Sequence, residues 1–204
     1  ITPADEHGIV NVEAVALLTS RLAEAGVDSI RLLGSTGTYA YLTRTERCRT
    51  VRAAVKAVRG RTPLIVGVGA LRTDDAQDLA RDAAAEGADA LLLAPVSYTP
   101  LIEEEVYQHY VAVAGATELP LCIYNNSGTT HFTFSRELLD RLAEVPNIAA
   151  VKMPLPTTGD VTSELASLRS GPAGRFDIGY SGDWGAAEAL LGGACASYSV
   201  AAGA

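Results

Sequence analysis

The sequence repeats one local unit, a helix that ends at a glycine and is followed at once by a short apolar strand. The stretches Glu24-Ala25-Gly26-Val27-Asp28 and Ala85-Glu86-Gly87-Ala88-Asp89 are close copies of the junction in this unit. Glycine is favoured just past the end of a helix because it adopts positive φ without strain. The strands that follow are rich in Val, Ile and Leu, as in parallel sheets covered by helices on both faces. Strict alternation of such units predicts an α/β fold.

The alternation continues along the whole chain. Helices are predicted at residues 11–25, 43–58, 74–86, 103–117, 135–144, 162–169 and 186–191. Strands are predicted at residues 28–33, 63–68, 89–95, 120–124, 148–152, 176–180 and 194–200. Eight strand–helix units form a TIM (β/α)8 barrel, and we expect residues 1–204 to form one such domain, with Ile1-Thr2-Pro3 as the stub of its first strand. An open doubly wound sheet is the alternative, which is less supported because no glycine-rich nucleotide turn follows the first strand.

Composition and charge exclude several classes of protein. The formal net charge of -8 argues against a nucleic-acid partner, which would require clustered Lys and Arg. The cysteines and histidines are far apart and lack metal-ligand or disulfide spacing, so we expect no metal and a reducing, cytoplasmic environment. These residues are Cys48, Cys122, Cys195, His7, His109 and His131. No secretory leader begins the sequence and no apolar run reaches membrane-spanning length, so we expect no membrane association.

Lys152 stands at the end of the apolar strand Ile148-Ala149-Ala150-Val151-Lys152, just before Met153-Pro154. An ammonium group is costly to bury unless it is paired or gives up its proton. A desolvated lysine has a lowered pKa and becomes a nucleophile for a carbonyl carbon. The alternative is a strand-end lysine that swings into solvent, and the motif alone does not decide between the two.

Other strand ends supply hydroxyl groups and glycines. Gly34-Ser35-Thr36-Gly37 offers two hydroxyls and free backbone N–H groups in one turn, which suits a carboxylate or phosphate, although a glycine loop that caps a helix is an equally good interpretation. Tyr124 is either a core aromatic or a phenol that transfers protons. Asp183, the one acid at a strand end, is expected to cap the helix after it. Together these groups predict a lysine that condenses with a ketone, beside a phenol and opposite an anion-binding turn.

The four motifs Gly34-Ser35-Thr36-Gly37, Tyr124-Asn125, Val151-Lys152 and Ser181-Gly182-Asp183 resemble, in this order and spacing, the dihydrodipicolinate synthase and N-acetylneuraminate lyase superfamily. The resemblance runs from Thr2-Pro3 to about Ser199-Val200. It implies a TIM barrel, class I aldolase chemistry on pyruvate or a similar 2-oxo acid, an aldehyde as second substrate, no cofactor, and commonly a homotetramer.

The resemblance also implies roles for single residues. Lys152 would form the imine and Tyr124 would transfer the proton. Ser35 and Thr36 would bind the substrate carboxylate, and backbone around Gly182 and Tyr198 would line the pocket. The family has more strand before Thr2 and helices after the last strand, so we expect residues 1–204 to be a barrel that lacks both ends and is poorly soluble alone.

The sequence departs from the family pattern near the second substrate. Thr129 stands where the synthase carries an arginine that grips a second carboxylate, and Ser97 stands where it has a tyrosine, with Tyr98 one place later. Thr38 replaces a usual glutamate. Trp184 and Gly185 stand where the sialic acid lyases place acids.

These departures mean that neither well-known substrate is supported. We therefore expect a second substrate whose distal part is neutral, either a polyol or an aromatic aldehyde that stacks on Trp184 or Tyr98. A catalytically idle or regulatory paralogue that binds a 2-oxo acid or sugar acid is the alternative.

Overall fold

Helices and strands alternate along the chain in the computed structural model, which describes residues 1–203, so that Ala204 lies outside the described residues. The helices are α1 (Val12–Glu24), α2 (Arg44–Val58), α3 (Thr73–Glu86), α4 (Glu103–Ala114), α5 (Ser127–Thr130), α6 (Arg136–Ala143), α7 (Val161–Arg169) and α8 (Ala186–Leu191). The strands are β1 (Ile30–Leu32), β2 (Leu64–Gly67), β3 (Ala90–Leu93), β4 (Leu121–Tyr124), β5 (Ile148–Pro154), β6 (Asp177–Ser181) and β7 (Ala196–Tyr198). Each predicted helix, and each predicted strand from residue 28 onward, is present, with ends that shift by a few residues.

The strands form one parallel sheet in the order β1-β2-β3-β4-β5-β6-β7. This sequential order differs from a doubly wound sheet, in which the first strand lies in the interior. The sheet is curled, as a contact between its first and last strands shows. The guanidinium carbon of Arg31 on β1 lies 3.4 Å from the centroid of the Tyr198 ring on β7. The predicted α/β fold is therefore confirmed as a curled parallel sheet, whereas closure by an eighth strand stays a prediction.

The two faces of the sheet pack against different partners. Side chains alternate between faces along a strand, and the larger apolar cluster lies between the sheet and the helices. A smaller cluster on the concave face contains Leu92, Ala94, Cys122 and Tyr124. Because both faces of the central strands are buried, their sequences read as continuous apolar runs. Among residues 1–203, no helix has the length and apolarity needed to cross a membrane.

Local capping fixes where several helices begin and end. Thr43 and Glu46 form the predicted capping box at the start of α2, in which the Thr43 side chain accepts from the Glu46 N–H and the Glu46 carboxylate accepts from the Thr43 N–H. Asn11 caps α1 through the N–H of Ala14. Gly87 ends α3 in the left-handed region with φ of 94°.

Two segments differ from the sequence-based expectation. The helical turn α5 follows β4 directly, where only a loop was predicted. Residues Ile1–Pro3 form no strand within the described part of the chain. Instead the Thr2 hydroxyl donates to the carbonyl of Gly37 at 2.7 Å, and Ala4 pairs with Val10 in an antiparallel bridge.

Gly67 determines how closely the end of β1 approaches β2. A Cβ atom on Gly67 would lie 1.9 Å from the carbonyl oxygen of Leu33, so only glycine fits at this position. Leu33 itself has φ of 58°, which turns the chain away from β1 into the segment 34–37. Gly67 therefore serves close packing, and it holds the 34–37 turn at the strand end.

Candidate active site

Lys152 lies on the concave face of the sheet. Its neighbours Val151 and Met153 are buried among the helices, so alternation along β5 directs Lys152 to the opposite face. Nζ lies 3.9 Å from the centroid of the Tyr124 ring and 5.5 Å from that of Tyr198. The amine is thus held between two aromatic rings and does not swing into solvent.

The hydroxyl group of Tyr124 is the centre of a small polar cluster. Asn126 donates from Nδ2 to Tyr124 Oη at 2.9 Å, and Ser35 Oγ donates to the same oxygen at 3.4 Å. Asn126 is the N-cap residue of α5, so this helical turn positions the amide that contacts Tyr124. With its oxygen accepting these bonds, the Tyr124 phenol keeps its own O–H proton for a further acceptor.

The segment Ser35–Gly37 is a 3-10 turn that follows β1. The N–H of Gly37 bonds to the carbonyl of Gly34, whereas those of Ser35 and Thr36 have no acceptor within the turn. Leu33 and Thr38 flank the turn with φ of 58° and 54°, a conformation that is unfavourable for branched side chains and concentrates at functional sites. The turn therefore presents two N–H groups and two hydroxyls in one place, as an anion site requires.

Tyr198 occupies the concave face beside Lys152 because Gly179 leaves room for its ring. A Cβ atom on Gly179 would lie 2.8 Å from Tyr198 Cε2. Gly179 pairs directly with Lys152 in the β5–β6 ladder, so the ring covers the strand next to the amine. The Tyr198 hydroxyl lies 3.9 Å from Sγ of Cys122, and burial raises the pKa of both groups.

Arg31 brings a second cation to this face. Its strand neighbours Ile30 and Leu32 are buried among the helices, so Arg31 projects to the concave side and stacks on Tyr198. Its Nε is buried and has no hydrogen-bond acceptor among residues 1–203. Burial lowers the pKa of the guanidinium, which nonetheless stays protonated.

The pKa of Lys152 is lowered, first by burial and further by the charge of Arg31. The Tyr124 side chain opposes this effect, because its electrostatic interaction and hydrogen bond favour the charged amine. The effect of burial is larger than that of Tyr124, so the environment favours the neutral, nucleophilic form of the amine more than water does.

A cavity of about 130 Å³ brings these groups together. A single water needs only about 10–15 Å³, so the space accepts a molecule of several heavy atoms. Its lining includes five of the six predicted site residues, namely Lys152, Tyr124, Ser35, Thr36 and Tyr198, together with Arg31. The cavity also extends past β1 to the α1 side chains Val15, Leu18 and Leu22. Its lining, taken within residues 1–203, contains no Asp or Glu.

The sixth predicted residue, Gly182, does not line this cavity within the described chain. It has φ of 134°, and a Cβ there would lie 2.6 Å from Leu155, so its place in the fold is explained by packing. The prediction that Asp183 caps α8 is wrong. Its carboxylate accepts from the N–H groups of Val200 and Ala201, at 3.1 and 3.2 Å, and so ties the end of β6 to the segment after β7.

The aromatic residues proposed for substrate stacking lie outside the cavity. Tyr98 and Trp184 are 95% and 88% exposed, and neither contributes to the lining. Thr129 is exposed on α5 and bonds to the carbonyl of Asn126 at 3.3 Å. In the described part of the chain no group of three or more His, Cys, Asp or Glu side chains could hold a metal ion.

Sequence reasoning did not identify Arg31 or Asn126 as site residues. Arg31 interrupts the apolar run Ile30-Arg31-Leu32-Leu33 just as Lys152 interrupts its own strand, and that signal could have identified it. Asn126 carried no such signal, because its contact with Tyr124 depends on the unpredicted turn α5. The neighbouring Asn125 is directed elsewhere, donating to Sδ of Met153 at 3.5 Å.

Comparison with known proteins gives consistent matches. The model of the dihydrodipicolinate synthetase family matches residues 1–202. The chain is 34% identical to 4-hydroxy-tetrahydrodipicolinate synthase of Bacillus velezensis over 94% of its own length and 64% of the relative's. It is 37% identical to the enzyme of the same name from Thioalkalivibrio sulfidiphilus, over 90% of the chain and 60% of the relative. The chain thus spans somewhat less than two thirds of these curated relatives.

Solved structures superpose closely on the fold. A crystal structure of dihydrodipicolinate synthase from Agrobacterium tumefaciens is 62% identical with a TM-score of 0.97, covering 100% of this chain and 68% of that one. The synthase from Acinetobacter baumannii, solved in complex with pyruvate, is 35% identical with a TM-score of 0.90, again over 100% of this chain and 68% of that one.

Proposed function

This chain belongs to the dihydrodipicolinate synthetase family, and we propose that it forms an imine between Lys152 and pyruvate or a related 2-oxo acid. The observation that carries the proposal is the position of the Lys152 amine, between two aromatic rings in a cavity without a carboxylate. A pyruvate complex of the Acinetobacter baumannii relative supports the choice of acid. The curled sheet fits most of a (β/α)8 barrel, and we propose that architecture for the complete site.

The first step is attack of the neutral Lys152 amine on the ketone carbon. A nitrogen–carbon bond forms, the ketone oxygen takes the two amine protons and leaves as water, and one further proton, which Tyr124 can deliver, gives the protonated imine. The imine withdraws electrons from the neighbouring methyl group, which loses a proton to give an enamine. The enamine carbon then adds to an aldehyde, and hydrolysis of the new imine releases product and restores the lysine.

Tyr124 is suited to move the protons in this sequence. Its ring contacts the amine, and its hydroxyl accepts from Asn126 and Ser35, which fixes the oxygen and leaves the O–H free to donate. The N–H groups of Ser35 and Thr36 are suited to the substrate carboxylate. None of these roles requires a cofactor or a metal.

The second substrate stays an expectation from the sequence, namely an aldehyde with a neutral distal part. The loop after β4 supplies the hydroxyl of Thr129 in place of a cation. The cation that the structure adds, Arg31, comes from strand β1 and is stacked on Tyr198. We expect neutral aldehydes to react faster with the pyruvate-loaded protein than acidic ones, and a preference for acidic aldehydes would contradict this. A homotetramer or dimer and a cytoplasmic location likewise stay predictions.

The proposal is tested by exchange of the pyruvate methyl protons in heavy water, followed by proton NMR. Wild type and the exposed-lysine control Lys56→Arg should exchange them, whereas Lys152→Arg should not, because a guanidinium cannot form the imine. Tyr124→Phe keeps the ring and removes the hydroxyl, so we expect exchange slower by about 10²–10⁴-fold.

Exchange that persists in Lys152→Arg would contradict the role of Lys152. Covalent labelling of Lys152 without any exchange would instead identify a binding paralogue that does not turn over its ligand.

A further inference from the structure

Arg31 and Lys152 share one aromatic ring on the concave face. The guanidinium carbon of Arg31 lies 3.4 Å from the centroid of the Tyr198 ring, and Nζ of Lys152 lies 5.5 Å from the same point. The two nitrogen-bearing groups cannot be farther apart than the sum of these distances. Like charges at that separation repel effectively when both are largely shielded from water.

No acidic group neutralises Arg31. Its Nε has no acceptor among residues 1–203, and no Asp or Glu of these residues lines the cavity. A buried N–H without a partner is costly, and an apolar side chain such as Met would pack on Tyr198 without that cost. Packing alone therefore does not account for an arginine at this position. A guanidinium without a counter-ion, however, exerts its full electrostatic effect on neighbouring groups.

The other polar side chains around Lys152 carry no charge near neutral pH. Strand β4 contributes Tyr124 and Cys122, β7 contributes Tyr198, and the facing position on β6 is Gly179. Burial raises the pKa of the Tyr198 phenol and of the Cys122 thiol, which favours their neutral forms. Asp177 of β6 lies on the same face but is exposed, and its charge acts on Tyr198. The charged group that acts on Lys152 is therefore Arg31, supplied by β1.

We propose that Arg31 is a positioning residue that shifts the Lys152 amine toward its uncharged, nucleophilic form. Only one part of this proposal rests on the proposed function, namely that the free amine forms an imine with a 2-oxo acid. The direction of the Lys152 pKa agrees with the geometry, because the Arg31 charge lowers it in addition to burial. The stack on Tyr198 holds the guanidinium close to the amine.

The chain offers an internal reference for the test, because its only two lysines are Lys152 and the exposed Lys56. Brief acetylation with trace acetic anhydride at a series of pH values, followed by mass spectrometry of the two lysine peptides, gives the pKa of each amine. No 2-oxo acid is present, so the result is independent of whether the protein forms an imine. Variants Arg31→Met and Arg31→Lys are compared with Arg49→Met, a matched loss of charge at an exposed position on α2.

We expect Arg31→Met to raise the pKa of Lys152 by about one unit. At any pH well below both pKa values, the variant then has about tenfold less free amine than wild type. Arg31→Lys should keep the wild-type value, since it keeps the charge, and Lys56 should titrate alike in every variant. Arg49→Met should leave Lys152 unchanged.

An unchanged Lys152 pKa in folded Arg31→Met would overturn the proposal. So would an equal rise in Arg31→Lys and Arg31→Met, because that would indicate an effect of shape and not of charge. Arg31→Gln, which keeps a polar side chain of similar reach, replaces Arg31→Met if the latter shows no cooperative melt.

Discussion

Charged side chains on the outer helices form ion pairs, whereas those on the concave face of the sheet lack a partner of opposite charge in the described part of the chain. On the outside, Arg44 of α2 bonds to Asp78 and Asp82 of α3 at 2.8 and 2.5 Å, and Arg52 bonds to Glu86 at 2.5 Å. On the concave face, Arg31 and Lys152 have no carboxylate partner within residues 1–203. Ion pairs near the surface change the free energy of unfolding little, whereas unpaired cations that are shielded from water oppose folding. We therefore infer that Arg31 and Lys152 serve the proposed chemistry and not the stability of the fold.

The largest effect is expected where an outer charge is half-buried. The Asp140 carboxylate on α6 accepts from Arg136 at 3.0 Å and from the N–H of Ala173 at 2.8 Å. We expect Asp140→Ala to lower the free energy of unfolding by about 2–3 kcal/mol, because both donors lose their acceptor. Asp140→Asn keeps an oxygen for Ala173 and should lose less. Equal losses in urea unfolding would mean that the bond to Ala173 contributes nothing, whereas no loss in Asp140→Asn would mean that the ion pair contributes nothing.

An effect of opposite sign is expected on the concave face. Lys152→Met should raise the free energy of unfolding by about 1–2 kcal/mol at pH 7, because an apolar side chain replaces a desolvated amine. The gain depends on pH, since the folded pKa of Lys152 is lowered from 10.5. Between the two pKa values the unfolded lysine binds a proton that the folded one does not, so wild-type stability rises with pH.

The advantage of Lys152→Met should therefore shrink as pH rises toward 10.5, the ordinary pKa of lysine. Urea unfolding of both proteins at pH 7 and pH 10 checks this, with Lys56→Met as the exposed control. An advantage that is constant across this range would show that the Lys152 pKa is not lowered in the fold.

The smallest effect is expected for the exposed outer pair. Arg52→Gln breaks its bonds to Glu86, whose side chain is 17% exposed, yet the Arg52 side chain is 55% exposed and the pair is screened by salt. We expect the melting temperature to stay within experimental error of wild type at physiological salt. A clear loss of stability there would remove the distinction between the outer and inner charges.

The sequence predicts the fold well because apolar periodicity and glycine stops encode each helix and strand locally. It also predicts that Lys152, Tyr124 and Ser35 meet, because parallel strands bring their C-terminal ends to one edge. It misses features that depend on contacts between distant segments. Asp183 caps residues after β7 and not its own helix, and Arg31 reaches across the curl of the sheet to Tyr198. Neither contact leaves a local pattern in the sequence.

The central claim is that the inner lysine is the nucleophile and the outer one is not. Incubation of wild type with pyruvate and borohydride, then mass spectrometry of the intact protein and its peptides, tests this directly because there are only two lysines. We predict a single adduct on the peptide that contains Lys152, no adduct on Lys56, and no adduct in Lys152→Arg. An adduct on Lys56, or none on Lys152, would contradict the account.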